Sequence, residues 1–269
     1  IKDSKAGWAD SVKILMGSLY DGQNLYFDYS EIRPEGARLH TMGGRASGPN
    51  PLIKLHDFIR EVMHNAQGRK LTPLEAHDIC NQIAEIVVVG GVRRSSQISL
   101  SDLDDKNMRH AKDWPYPIKR AMANNSAIYK DKPSAAQFLK EWGSLALSGT
   151  GERGIFNLNA AQSKAPSRRY APLIQGTNPC GEIMLRDMQF CNLSEVVVRE
   201  DDDLDSLLDK VETAAWLGVI QSTFTNFPYL RKEWKKNCDV ERLLGVSLTG
   251  QMDNPSLMNS EALKALKSR

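Results

Sequence analysis

The spacing of apolar residues predicts alternating helices and strands along most of the chain. Apolar positions recur at three- and four-residue steps over 7–20, 51–66 and 204–215, which places them on one face of a helix. Capping pairs, Thr72 with Glu75 and Ser134 with Gln137, predict two further helix starts. Alternating or β-branched runs predict strands within 24–32, 86–102, 171–177, 190–198 and 243–250. This order favours an α/β fold with a central sheet or barrel, with no clear domain linker.

Two segments rich in glycine and arginine interrupt this pattern. The loops near 36–49 and 89–96 are candidate nucleotide loops, because glycine lets a backbone approach a ligand and a guanidinium grips a phosphate. Their candidate contact residues are Arg38, Gly43, Gly44, Arg45, Gly90, Gly91, Arg93 and Arg94. Allostery would need two demonstrated sites and does not follow from these loops alone.

Composition and charge argue against nucleic-acid binding, membrane association and a disulfide scaffold. The 35 basic and 33 acidic residues give a net charge of +2, too balanced to predict direct nucleic-acid binding or an anionic membrane surface. The sequence shows neither an apolar run long enough to span a bilayer nor a signal peptide, so we expect a cytoplasmic protein. Four cysteines are too few for a disulfide scaffold of this size, so cysteine function should be metal binding, nucleophilic or redox.

The strongest chemical signal is the turn sequence around Cys180. Asn178, Cys180 and Glu182 are spaced by two, so an extended segment would bring amide, thiol and carboxylate to one face. Such a trio suits a hydroxylated ligand, because the amide can hydrogen-bond, the carboxylate can accept a proton and the thiol can supply a hydrogen atom. A turn near 175–184 is therefore the candidate site.

The other cysteines allow several interpretations. Cys191 follows after 11 residues and a hairpin could return it towards Cys180, although packing also suits its strand setting. We expect Cys80 to pack in a core and Cys238 to lie at the surface or at the boundary of the core. Zinc would need closer cysteine spacing or further ligands, and a cysteine protease would need an activating histidine, whereas none follows His110.

The segment NPCGEI at 178–183 resembles the finger-loop motif of ribonucleotide reductase catalytic chains. The segments GARLHTMGGRASGPNP, VVGGVRRSSQISLSDLDD, MANNSAIY, SGTGERGIFNLNAA, FCNLSEV and RLLGVSLTG are similar to segments of that family, in the same order. Together they span nearly the whole chain. The Pro-Cys-Gly form and the GGVRRS loop are most similar to the adenosylcobalamin-dependent class, especially its monomeric triphosphate-reducing type.

The resemblance implies a ten-stranded α/β barrel with a central finger loop, and a role for each residue of the turn. Cys180 would be the radical cysteine, Glu182 the base for the 3'-hydroxyl proton, Asn178 a hydrogen-bonding partner of the substrate hydroxyls, and Cys191 one of the reducing pair. Its implied cofactor is adenosylcobalamin. The implied partners are a ribonucleotide substrate, a deoxynucleotide or ATP effector at the two loops, and a thioredoxin-type reductant. We also expect the Cys180 sulfur to be buried, with the side chains of residues 178 and 182 gathered towards it.

The resemblance also implies parts that this sequence does not contain. We expect residues 1–269 to be a partial barrel domain truncated at both ends, with the upstream reducing cysteine, the phosphate loop and the C-terminal cysteines outside it. Two other functions stay open at this point. One is the large subunit of a two-subunit, metal-radical reductase, and the other is a non-catalytic nucleotide-binding module.

Overall fold

The computed structural model describes residues 1–39, 43–89, 92–93 and 96–268, with the backbone alone at 88–89 and 92–93. These residues form two compact units. The first unit is Ile1–Ser163 with Thr177–Glu182, and the second is Lys164–Gly176 with Ile183–Arg269.

Three helices and their apolar faces build the core at the start of the first unit. They are α1 (Lys5–Tyr20), α2 (Asn50–Asn65) and α3 (Pro73–Ile86), which confirms the helices predicted from spacing. The helices contribute Leu15, Leu52, Leu55, Ile59, Val62 and Ile79 to this core, and Ile32 joins them from the segment between α1 and α2. The predicted capping box is present at the start of α3, where Thr72 and Glu75 exchange hydrogen bonds. Local capping chemistry therefore sets this helix boundary.

The strand predicted over 24–32 is wrong. This segment contains no strand, and its alternating aromatic residues instead pack on the helices, with Phe27 and Tyr29 against the core. The Tyr29 hydroxyl lies 2.7 Å from Nδ1 of the fully buried His56, and Arg60 donates to the carbonyl of Leu25 at 2.7 Å. Contacts with side chains of α2, rather than hydrogen bonds to a neighbouring strand, thus hold this segment. The alternation of its residues therefore did not indicate a strand.

A parallel three-stranded sheet forms the second part of the first unit. Its order is β3–β4–β5, so β4 is central. The segments here are β1 (Val88–Val89), β2 (Val92–Arg93), β3 (Gln97–Ser101), α4 (Lys106–Arg109), β4 (Ala123–Tyr129), α5 (Ala135–Leu147), β5 (Gly154–Asn157) and α6 (Leu158–Ser163). The strands predicted within 86–102, on either side of the Gly-Gly pair, correspond to the short antiparallel pair β1 and β2 followed by β3. Helix α5 begins at the predicted Ser134–Gln137 capping box and connects two parallel strands.

The second unit contains a parallel strand pair covered by helices. Its segments are β6 (Ile174–Thr177), β7 (Met184–Arg186), β8 (Asn192–Val197), α7 (Leu204–Ser222), α8 (Lys232–Glu241), β9 (Leu244–Thr249) and α9 (Ser260–Ser268), with Thr177 of β6 in the first unit. Strand β8 pairs with β9 in parallel, and the intervening helix α7 packs on both. The core consists of Val196, Val198, Leu207, Val211, Ala214 and Leu266. The mixed α/β class is confirmed, whereas the described strands form sheets of two and three and the ten-stranded barrel stays a prediction.

Candidate functional site

Cys180 lies on a β-turn that follows strand β6. The Gly181 N–H donates to the Asn178 carbonyl at 3.0 Å, which closes the turn with Pro179 and Cys180 at its centre. Proline in the second position and glycine in the fourth are favoured in type I turns. Gly181 has φ +90°, a conformation that strains side chains of L residues, although a Cβ there would meet no atom within 4 Å. Backbone conformation rather than space therefore requires glycine after the cysteine.

The turn brings the predicted amide and carboxylate together. The Asn178 side-chain amide donates to Oε1 of Glu182 at 2.6 Å. The Thr177 hydroxyl, 3.3 Å from the Asn178 side-chain oxygen, adds a contact on the strand side. The predicted turn is present and the chain reverses here, so the extended geometry that would place three side chains on one face does not apply. Reversal rather than strand alternation makes the two side chains meet.

The expected burial of the Cys180 sulfur is also contradicted. Cys180 and Glu182 are both exposed, and Asn178 is half-buried. The hydrogen bonds of the turn join backbone and side-chain atoms of its residues and leave the thiol exposed. The expectation also placed the side chains of residues 178 and 182 around the sulfur, and these two side chains do bond each other directly.

Cys191 belongs to the second unit and is half-exposed immediately before β8. It lines a cavity of about 190 Å³ together with Cys238, whose sulfur accepts the backbone N–H of Phe190 at 3.4 Å. Cys238 is 7% exposed, so its expected surface position is wrong; Cys80 is exposed, so its expected core position is wrong as well. Helix α8 turns Cys238 inward, and α3 turns Cys80 outward.

A buried carboxylate holds the segment that leads to Cys191. Glu241 accepts hydrogen bonds from Arg169 at 2.9 Å and from Gln189 at 2.6 Å. Burial raises the pKa of Glu241, but the hydrogen bonds from Arg169 and Gln189 outweigh it and bring the pKa to about 2. This carboxylate therefore stays ionised at neutral pH and fixes residue 189 two positions before the thiol.

The described residues on the two sides of the first candidate nucleotide loop pair with each other. Arg38 and Arg45 face each other in an isolated antiparallel bridge, and Leu39 N–H donates to the Gly44 carbonyl at 3.0 Å. Gly43 and Gly44 both have positive φ, a backbone conformation that glycine adopts without strain. Arg45 donates to the Gly36 carbonyl at 2.9 Å, which engages this arginine within its own loop, while Arg38 is exposed. An effector-binding role for these residues stays a prediction.

The second candidate loop falls largely outside the described residues. Gly90, Gly91 and Arg94 are not described, and Arg93 is described only by its backbone within β2. Their proposed nucleotide contacts stay a prediction. The described part of the chain contains no group of three or more histidine, cysteine or acidic side chains that could hold a metal ion. Within the same residues, every helix is too short or too polar to cross a bilayer.

Sequence reasoning missed the residue that anchors the turn to the sheet. Asn124, on β4, donates its side-chain amide to the Pro179 carbonyl at 2.6 Å. It lies in the segment MANNSAIY, where two adjacent asparagines occur in a strand although asparagine is depleted in strands. That unfavourable pair is the signal that could have indicated a specific role.

Comparison with known proteins identifies the family. Residues 1–63, which include the first candidate loop, match the insertion domain of B12-dependent ribonucleotide reductase. Adenosylcobalamin-dependent ribonucleoside-triphosphate reductases of Lactobacillus acidophilus and Lactobacillus leichmannii are 33% and 32% identical to the chain over 94% of its length. A crystal structure of a B12-dependent (class II) ribonucleotide reductase covers 96% of the chain at 30% identity, with a TM-score of 0.73.

The chain belongs to the B12-dependent ribonucleotide reductase family. It spans 35% of the length of these curated reductases and 36% of the reductase in the crystal structure. The resemblance carried by NPCGEI and its companion segments is thus confirmed at the level of the family.

Proposed function

We propose that this chain carries the radical cysteine of an adenosylcobalamin-dependent reductase that converts ribonucleoside triphosphates to deoxyribonucleotides for DNA synthesis. The observation that carries the proposal is the turn itself. Its thiol at Cys180 is flanked by an amide and a carboxylate that meet at 2.6 Å, in a chain related to reductases of that name.

Each group of the turn has a defined task in this proposal. Cys180, as a sulfur radical, takes the hydrogen atom from the substrate 3'-carbon, and Glu182 accepts the proton of the 3'-hydroxyl. Asn178 hydrogen-bonds the substrate hydroxyls and, through its bond to Oε1 of Glu182, sets the orientation of the carboxylate. The Glu182 carboxylate is exposed, so a substrate hydroxyl can reach it without prior rearrangement of the turn.

Reduction requires two electrons, which a pair of thiols supplies. The substrate loses its 2'-hydroxyl as water, two cysteine thiols become one disulfide, and Cys180 returns the hydrogen atom to the 3'-carbon. We assign Cys191 to this pair, and a thioredoxin-type reductant resets the disulfide. The effector, a deoxynucleotide or ATP, would bind at the two glycine and arginine loops.

Adenosylcobalamin, when bound, would supply the homolytic bond cleavage that the radical chemistry needs. Exposure of the Cys180 thiol fits a cofactor that must reach the sulfur from outside the turn. No described residue is assigned to hold the cofactor. The two alternatives, a metal-radical large subunit and a non-catalytic nucleotide-binding module, are less favoured because the relatives are named as adenosylcobalamin-dependent reductases.

Substitution of Cys180 by serine in the full-length reductase tests the proposal. We expect Cys180→Ser to abolish deoxyribonucleotide formation in the presence of adenosylcobalamin while nucleotide binding by calorimetry stays intact. Cys80→Ser is the matched control, because Cys80 is also exposed but lies on α3, and it should retain full activity. Retained reduction by the Cys180→Ser protein would remove the proposed role of this thiol.

A further inference from the structure

The anchor between Asn124 and the cysteine turn joins residues 55 positions apart within the first unit. Asn124 is the second residue of β4, the central strand of the three-stranded sheet. Residues 123, 125, 127 and 129 of this strand are buried, so Asn124 lies on the opposite, exposed face. Its amide N–H donates to the Pro179 carbonyl at 2.6 Å, a short bond for this type of donor and acceptor.

This bond lies next to Cys180 in the turn, so it restricts the position of the thiol. The Pro179 carbonyl and the Cys180 nitrogen belong to one planar peptide group, so Asn124 fixes the peptide that precedes the cysteine. The Gly181 N–H, in the peptide that follows Cys180, is fixed by its bond to the Asn178 carbonyl. Hydrogen bonds therefore hold the peptide groups on both sides of Cys180, which restricts where its Cα and side chain can lie.

The part of β4 that carries Asn124 is itself tightly held. The N–H of the next residue, Asn125, donates to Oε2 of Glu152 at 3.0 Å, and the side-chain oxygen of Asn125 lies 3.1 Å from Nε2 of the buried His77. Lys112 bonds the other carboxylate oxygen of Glu152 at 2.7 Å and the carbonyl of residue 123 at 2.8 Å. Both neighbours of Asn124 are thus held by buried hydrogen bonds, so the backbone that carries its side-chain amide is fixed.

We infer that Asn124 is a positioning residue that sets the Cys180 thiol relative to the substrate and the radical source. The inference rests on the proposed function of Cys180 as the hydrogen-atom carrier. It assigns to Asn124 no contact with the reacting atoms. Its effect passes through the Pro179–Cys180 peptide, and it should govern the rate of the chemical step rather than substrate affinity.

Three substitutions in the full-length reductase separate positioning from general stability. Asn124→Ala removes the donor. Asn124→Asp keeps the shape but offers only acceptor oxygens to the carbonyl at neutral pH. Asn124→Gln keeps a donor on a side chain one carbon longer and should restore part of the activity. The matched control is Asn237→Ala on α8, because Asn237 also donates its amide to a distant carbonyl, that of Asp187 at 2.8 Å.

We expect Asn124→Ala and Asn124→Asp to lower kcat for deoxyribonucleotide formation by about 10- to 100-fold, the range that a displacement of reacting groups near 1 Å produces. The KM for the ribonucleotide should change by less than about twofold, because uniform binding is not altered. Hydrogen exchange of the Gly181 amide should accelerate by about fivefold, the factor for loss of one net hydrogen bond near it. Asn237→Ala should change neither kcat nor the exchange rate of the Gly181 amide.

Two results would overturn the inference while leaving the proposed function in place. One is an inactive Cys180→Ser protein beside an Asn124→Asp protein with unchanged kcat and unchanged exchange at Gly181. The other is a fall in kcat that Asn124→Gln and Asn237→Ala share equally with Asn124→Ala, since this would indicate loss of stability alone. An active Cys180→Ser protein would instead reject the proposed function itself.

Discussion

Glu141 is the residue whose replacement should most damage the sheet that supports the cysteine turn. Its carboxylate is buried on α5 and serves two buried guanidinium groups. Arg109 donates to Oε1 through Nε at 2.8 Å, and Arg153 donates to Oε2 at 2.9 Å. Burial raises the pKa of Glu141, but the hydrogen bonds from both arginines outweigh it, so the net pKa is lowered and the group is ionised at neutral pH.

The loss in the free energy of unfolding caused by Glu141→Gln depends on which hydrogen-bond acceptors Arg109 and Arg153 would keep. Gln preserves volume but removes the charge, which leaves Arg109 and Arg153 buried without a carboxylate. Removing one partner of a buried pair costs about 3–5 kcal/mol, largely because the remaining charge is stranded. Arg153 keeps acceptors at the Ser101 hydroxyl and the Asp102 carbonyl, both at 2.8 Å, which limits the loss. We therefore expect a loss of about 4 kcal/mol, equivalent to a fall in Tm of roughly 10 °C.

Urea unfolding at pH 7, followed by circular dichroism, measures this loss in the free energy of unfolding. The matched control is Glu61→Gln, an exposed glutamate of α2, which should change the free energy of unfolding by less than about 0.5 kcal/mol. If Glu141→Gln loses less than about 1 kcal/mol, the two arginines are not stranded by the change and the argument from buried charge fails.

Two further predictions concern other parts of the fold. Burial lowers the pKa of His56 from 6.5 to about 4, so the unfolded chain binds a proton that the folded one resists as pH falls below 6.5. The first unit should lose about 3 kcal/mol between pH 6.5 and pH 4, a loss that urea unfolding should show to be smaller in His56→Gln. Gly250→Ala should destabilise the second unit by more than about 2 kcal/mol in thermal unfolding, since its φ is +70° and its Cβ would lie 2.4 Å from the Val198 carbonyl oxygen. Gly22→Ala, with φ +75° and no atom within 4 Å, should cost only about 1 kcal/mol, and equal losses would contradict the steric part of the argument.

Rules that act over a few residues predicted the helices well. The boxes that begin α3 and α5 depend on a side chain and a backbone group three positions apart, so the sequence contains all of their parts. The cysteine turn was found for the same reason, because proline at 179 and glycine at 181 specify it locally. Local chemistry was sufficient wherever both partners are near in sequence.

Predictions failed where the deciding partner is distant along the chain. The alternating aromatic residues in 24–32 pack on the helices, and one of them contacts the buried imidazole of His56, so the segment does not pair with a strand. Cys80 and Cys238 exchanged their expected positions, because neighbouring apolar residues do not reveal which side of a helix meets the core. The bond from Asn124 to the Pro179 carbonyl spans 55 residues and no spacing rule could have indicated it.

Positioning and shielding of the Cys180 thiol are separate physical properties. Positioning is encoded within the first unit, where bonds from Asn124 and to Asn178 fix both peptide groups beside Cys180. Shielding is not supplied by the described residues, since Cys180 and Glu182 are exposed. A radical reaction must exclude water, which strengthens the electrostatic interactions of the site and prevents side reactions. The turn can therefore hold its geometry before the thiol is covered, and only the covered state should support the radical chemistry proposed for Cys180.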